Sequence, residues 1–189
     1  MSNIIEPFKT PIYETSLSLD TNKIFTYCKK IQKNDKGVQT SNLGGWHSLP
    51  LNGKHLQLNE LFEDIEYHSN IFGKKCNFKD KVTFDKIWIN INSTNNSNEA
   101  HTHPNSMLSG VYYVKTPKNC GDILFYNPAY ETMEYDWSNK FNDYNNYNSS
   151  RFLLPAVENN LYIFPSWLKH LVKPNLSKKE RMSISFNLI

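Results

Sequence analysis

Apolar positions in the first part of the chain recur at helical spacing. Between Thr21 and Lys33 they fall at Ile24, Tyr27, Cys28 and Ile31, which lays one stripe along a helix, and Asp20 stands where an N-cap acceptor is needed. Ser41-Asn42-Leu43-Gly44-Gly45-Trp46 reads as a turn followed by a strand-like segment. A second amphipathic helix is expected over Leu58–Phe72, striped by Leu58, Leu61, Phe62, Ile65 and Phe72, with Gly73 stopping it.

From Val82 onward the period changes to two. Ile87, Ile89 and Ile91 alternate with Trp88, Asn90 and Asn92, the pattern of a strand with two different faces. A polar loop, Ser93–Glu99, follows. Further strands are expected at Met107–Lys115, Asp122–Asn127, Asn160–Phe164, His170–Lys173 and Met182–Leu188, each short and bounded by Gly, Pro, Asn or Ser. Repeated short strands in the second half predict an antiparallel sandwich or barrel with the helical region packed beside it, so the fold class is mainly β. Residues 1–80 form a mixed support region and 82–189 the barrel core of a single domain. No internal repeat is present. Tyr135–Ser150 is rich in Asn and Tyr and poor in aliphatics, as expected of a mobile insertion acting as a lid.

Composition narrows the class. With 189 residues the chain buries roughly 70% of its unfolded surface and needs no staple to fold. A 14% aromatic content argues against disorder, and a net charge of +3 is too small to indicate nucleic-acid binding by charge alone. No apolar run approaches the roughly 20 residues of a membrane helix, and Met1–Pro11 has no apolar core of a signal peptide, so a cytoplasmic protein is expected. Cys28, Cys76 and Cys120 are scattered, which reads as three reduced thiols. Only Arg151 and Arg181 of the 21 basic side chains are arginine, a hint that these positions use the planar, bidentate guanidinium.

Three of the six histidines fall at informative places. His101 and His103 stand two apart at the expected start of a strand, where residues i and i+2 share a face, and His170 lies at the edge of another strand. Neutral imidazole is the commonest ligand for Fe, Zn, Cu and Ni, so the three are candidate metal ligands and catalytic residues. His47, His55 and His68 show no such pattern and read as structural or surface residues. In the last strand Arg181, Ser183 and Ser185 share one face and Met182, Ile184 and Phe186 the other. The polar face is either solvent-exposed or a carboxylate clamp inside a cavity.

Four features in one order resemble the Fe(II)- and 2-oxoglutarate-dependent oxygenases. They are His101-Thr-His103, Leu108-Ser-Gly-Val-Tyr-Tyr-Val114, Gly121-Asp-Ile-Leu-Phe125, and Phe164-Pro followed by His170 and Arg181-Met-Ser183. Ser41–Trp46 and Pro7–Tyr13 are similar to segments of a prolyl-hydroxylase-like group of small oxygenases from phages and marine bacteria. The resemblance implies a double-stranded β-helix (a jelly-roll, cupin-like barrel) with flanking N-terminal helices. It also implies Fe(II) held by His101, His103 and His170, and 2-oxoglutarate as co-substrate. Arg181 and Ser183 would then grip the far carboxylate of 2-oxoglutarate with help from Tyr113, while Tyr112 faces the other way. Asn90 and Asn92 would line the pocket.

His103 stands where the wider superfamily has an acid, and neither Glu99 nor Asp122 sits at the matching spacing. The implied activity is a hydroxylase that couples oxidative decarboxylation of 2-oxoglutarate by O₂ to oxidation of an unidentified substrate. Two alternatives remain open: a three-histidine dioxygenase that does not use 2-oxoglutarate, and a non-catalytic barrel with a structural or binding role in a phage. No membrane partner is expected, nucleic acid is not indicated, and a homodimer is left open.

Overall fold

The computed structural model describes residues 3–52, 54–131 and 140–189, which form two α-helices and eleven strands. Helix α1 (Thr21–Asn34) begins as the sequence requires: the Asp20 carboxylate accepts from the Asn22 and Lys23 amides at 3.1 and 3.0 Å. Helix α2 (Asn59–Lys75) follows a 3₁₀ turn at Leu56–Leu58 and runs two residues past the glycine expected to end it. Gly73 is buried within α2, where a Cβ would stand 3.2 Å from the Phe78 ring. It is needed for close packing. The chain stops instead at Asn77, which takes a left-handed φ of 59° and lets the Phe78 amide reach back to the Gly73 carbonyl.

The strands are β1 (Tyr13–Ser16), β2 (Asn42–Leu43), β3 (Trp46–His47), β4 (Phe84–Asn92), β5 (Ser97–His101), β6 (Leu108–Lys115), β7 (Ile123–Tyr126), β8 (Arg151–Leu154), β9 (Asn160–Pro165), β10 (His170–Val172) and β11 (Arg181–Leu188). They pair into two antiparallel sheets. The major sheet has the order β1-β9-β6-β11-β4-β3 and the minor sheet β2-β5-β10-β7-β8. The chain thus has the double-stranded β-helix architecture that the resemblance implied.

Parity along each major-sheet strand decides what it faces. Ile87, Ile89 and Ile91 of β4, Tyr112 and Val114 of β6, Leu161 and Ile163 of β9, and Met182, Ile184 and Phe186 of β11 join Ile24, Cys28, Leu61, Ile65 and Phe72 of the helices in one core. The opposite parity points between the sheets. There Val111, Tyr113, Tyr162 and Phe164 meet Ile123 and Phe125 of the minor sheet in a second core. The polar face of β11 lies on this inner side: Arg181 is 1% exposed and Ser183 6%.

Three further expectations need correction. The polar loop expected at Ser93–Glu99 ends earlier, because β5 begins at Ser97. Its sequence has no apolar alternation, and main-chain pairing with β2 and β10 holds it. His101 therefore ends a strand, and His103 lies in the following loop. β1 and β8 lie where no strand was expected; both are short edge strands with exposed positions. Residues 135–139 of the expected lid lie outside the described residues. Its remainder is tied by Asn side chains to its own backbone, and the Tyr147 hydroxyl donates to Glu6 at 3.0 Å. Among the described residues no helix is long and apolar enough to cross a membrane.

Candidate active site

The registers of the two sheets assemble the site. In the minor sheet His170 of β10 pairs directly with His101 of β5. His103 is brought in by its own amide, which donates to the Ser166 carbonyl in the β9–β10 turn. The three imidazoles converge, with ring centroids 4.5 to 5.2 Å apart and one nitrogen of each within 4.8 Å of the others.

Their hydrogen bonds orient them as ligands. His101 Nδ1–H donates to the Glu99 carbonyl at 2.7 Å and His170 Nδ1–H to the Leu168 carbonyl at 2.9 Å, which leaves each Nε2 lone pair free. His103 Nε2 stands 3.4 Å from His170 Nε2. Two nitrogens each about 2.1 Å from one ion are separated by about 3.0 to 3.4 Å at octahedral or tetrahedral angles, so the spacing fits a shared metal. Burial keeps the rings neutral. It pushes His170 down to about 3 and His103 to about 4, and lowers His101, with the neighbouring histidines adding to the effect at His103 and His170. Glu99 is exposed, and Asp122 accepts from the Ala156 amide; neither joins the cluster.

The major sheet supplies the opposite wall. Ser183 lies between Asn90 of β4 and Tyr113 of β6 in register, and all three line a cavity that also contains the three histidines. Its unfilled space, with the open solvent at its mouth included, is about 490 Å³. Arg181 enters from the start of β11. Its Nη1 donates to the carbonyls of Cys120, Gly121 and Lys173 at 2.6, 2.9 and 3.2 Å, while its buried Nη2 has no partner. The buried Tyr113 hydroxyl also has none, and burial raises its pKa so that it stays an O–H donor. These are two of only four such buried atoms among the described residues, and both belong to residues of one cavity.

A family model described as "Putative 2OG-Fe(II) oxygenase" matches residues 86–187, more than half of the chain. The chain belongs to this family. The oxygenase is thereby an Fe(II)- and 2-oxoglutarate-dependent enzyme that uses O₂ and oxidises a further substrate. Solved structures share its fold. A Pseudomonas putida prolyl-4-hydroxylase is 11% identical with a TM-score of 0.68, over 95% of this chain and 92% of that one. A viral collagen prolyl hydroxylase from Paramecium Bursaria Chlorella virus-1, in complex with 2OG, is 10% identical with a TM-score of 0.63, over 94% of each chain. The epimerase SnoN, in complex with Fe3+, alpha ketoglutarate and nogalamycin RO, is 10% identical with a TM-score of 0.68, over 95% of this chain and 79% of that one. No curated protein matches the sequence.

The oxygenase pocket gathers seven of the eight residues expected from the sequence. Asn92 is the exception: it is buried beside Gly45 and lies outside the pocket wall. Tyr112 faces the helices, its hydroxyl donating to Asn159 at 2.6 Å. His55 and His68 pair with tyrosines away from the site. His47 does not stay apart: its ring stacks on Trp88 at 5.5 Å, and Trp88 lies 5.9 Å from the His103 ring. Trp88 has the same parity as Asn90, a signal present in the sequence. Asn98 and Ser41, also in the wall, sit in polar segments that carry no such signal.

Proposed function

We propose that His101, His103 and His170 hold the Fe(II), and that Arg181, Tyr113 and Ser183 hold the distal carboxylate of 2-oxoglutarate. The observation that carries the reading is the pair of buried, unpartnered donors, Arg181 Nη2 and Tyr113 Oη, in one cavity with three convergent imidazoles. Buried donors without partners are costly, and a carboxylate satisfies both. With its metal bound, an enzyme of this family decarboxylates 2-oxoglutarate with O₂ to succinate and CO₂ while oxidising a prime substrate.

The protein's own contribution is placement. Main-chain carbonyls fix the tautomers of His101 and His170. The Cys120, Gly121 and Lys173 carbonyls lock one end of the guanidinium and present the other. Phe164 and Phe125, 4.7 and 5.8 Å from the His170 ring, keep water from its inner side. Asn90, held by its amide to Ser185 at 3.1 Å, gives the opposite wall a polar group for the prime substrate. The whole chain serves one domain, with residues 1–80 supporting the barrel of 82–189.

The test is anaerobic addition of Fe(II) and then 2-oxoglutarate to the metal-free protein, watching for the visible metal-to-ligand charge-transfer band. One iron per chain and a band that fades in Arg181→Ala are expected. A band unaffected by Arg181→Ala overturns the carboxylate assignment. Iron binding without a band favours a three-histidine enzyme that does not use the keto acid.

A further inference from the structure

His101 and His170 are each oriented by a main-chain carbonyl, but His103 is not. Among the described residues its Nδ1 has no hydrogen-bond partner, and its Nε2 only approaches His170 at 3.4 Å. It is also the one candidate ligand outside a strand. Metal-binding histidines are ordinarily held through the second ring nitrogen. Without that bond an imidazole can turn over about its second side-chain torsion and exchange the nitrogen it offers. What meets the His103 ring instead is aromatic. Apart from the other two histidines, Trp88 is the only ring against it among the described residues, 5.9 Å away and tilted by 36°. Trp88 is itself backed by the His47 ring, 5.5 Å away and within 11° of parallel. His47 is fixed in turn. Its Nδ1–H donates to the Ser48 carbonyl at 2.8 Å, its own carbonyl accepts from the Val38 amide at 2.8 Å, and strand pairing sets it opposite Asn90.

We propose that Trp88, braced by His47, is the positioning residue for His103 and takes the place of the missing hydrogen bond. The inference rests on the ligand assignment above and adds a residue to it. Aromatic rings at these separations attract in tilted and offset arrangements, and a broad indole beside the imidazole resists the turning of its ring. His101 and His170 stand on paired strands with carbonyl anchors of their own, so the stack acts on the loop ligand. The support runs from β3 through Trp88 of β4 to the 102–107 loop, and Trp88 and His103 line the same cavity.

The experiment titrates the metal-free full chain with Co(II), whose visible absorption reads both affinity and ligand geometry. In Trp88→Leu the affinity should fall about 10- to 100-fold, as it does when a ligand loses its orienting partner, and the Co(II) spectrum should change shape. Trp88→Phe should recover part of the loss. His103→Asp keeps a ligand at this position but no ring to position. Trp88→Leu made on that background should therefore move Co(II) affinity by less than about 2-fold. Circular dichroism checks each variant for folding. His47→Leu, which removes the brace, should weaken Co(II) in the same direction and serves if Trp88→Leu does not fold. Unchanged Co(II) affinity and spectrum in folded Trp88→Leu, or in His47→Leu where it stands in, overturns the inference and leaves the three-histidine site intact. A loss as large on the His103→Asp background as in the wild type shows that Trp88 does not act through His103, and overturns it too. A wild-type chain that binds no Co(II) overturns the ligand assignment along with the inference.

Discussion

Arg181 has been taken out of water and only half satisfied. Three carbonyls crowd one terminal nitrogen while the other is buried without a partner, and the Tyr113 hydroxyl, on a residue of the same cavity, is in the same state. If that hydroxyl serves the co-substrate, its removal has opposite effects on stability and binding. Tyr113→Phe deletes an unpartnered buried donor, so the ligand-free protein should gain roughly 1 kcal/mol and melt a few degrees higher. Its affinity for 2-oxoglutarate should fall about 10-fold or more, the value of a hydrogen bond to a charged group. Thermal melts and 2-oxoglutarate titrations together check this, and a lower melting temperature in the variant would make the hydroxyl structural. The histidines give a pH prediction with a fixed sign. Burial holds His103 and His170 at about 4 and about 3, and His101 and His47 also below their ordinary value near 6.5. Below pH 6.5 the unfolded chain therefore binds protons that the folded one refuses, and stability falls with falling pH. The metal-free protein should lose melting temperature between pH 7 and pH 5, above the range where carboxylates titrate. The slope should be smaller in His103→Gln.

At the scale of elements, what the sequence made legible was parity. The alternation in β4 and β11 separates helix-facing isoleucines from an inner polar face, and the residues expected to bind ligand lie on that face. The same logic could not find β5, because Ser97–His101 is polar on both sides and its pairing partners lie far away in sequence. It also misplaced the end of α2, since a glycine needed for packing against Phe78 looks like a glycine needed for a turn. Gly121 is the converse case. It takes φ +87° before β7, and a Cβ there would stand 2.7 Å from the Pro174 carbonyl oxygen, beside the Lys173 carbonyl that also holds Arg181. Gly121→Ala should therefore cost about 1 to 3 kcal/mol, as forced backbone strain does. It should also weaken 2-oxoglutarate by displacing the carbonyls that aim the guanidinium. Urea denaturation reads the first effect and ligand titration the second. A loss of stability with normal co-substrate affinity would show that the guanidinium is aimed without them.

Across the whole molecule the two sheets are supported unequally. The major sheet is backed along its outer face by α1 and α2 and shares one continuous core with them. The minor sheet includes strands of two and three residues, and its edge strand β8 leaves Phe152 and Leu153 half-exposed. Regions with few buried contacts open first, so β5, β10 and β8 should be the least protected strands of the ligand-free protein. The site bridges this difference. His101 and His170 belong to the minor sheet, while Tyr113, Ser183 and Arg181 belong to the major one. On the proposed assignment a metal and co-substrate held by both sets would tie the weaker sheet to the stronger, and a ligand at 100 times its dissociation constant adds about 2.7 kcal/mol to the folded state. For a chain of this size that is a rise of about 5 to 11 °C in melting temperature. Hydrogen exchange of the protein with Mn(II) and 2-oxoglutarate should show slowing concentrated in β5, β10 and the 120–123 segment, with α1 and α2 little changed. Slowing spread evenly over helices and sheets would mean that ligand stabilises the molecule as a unit and that the minor sheet is not its weak half.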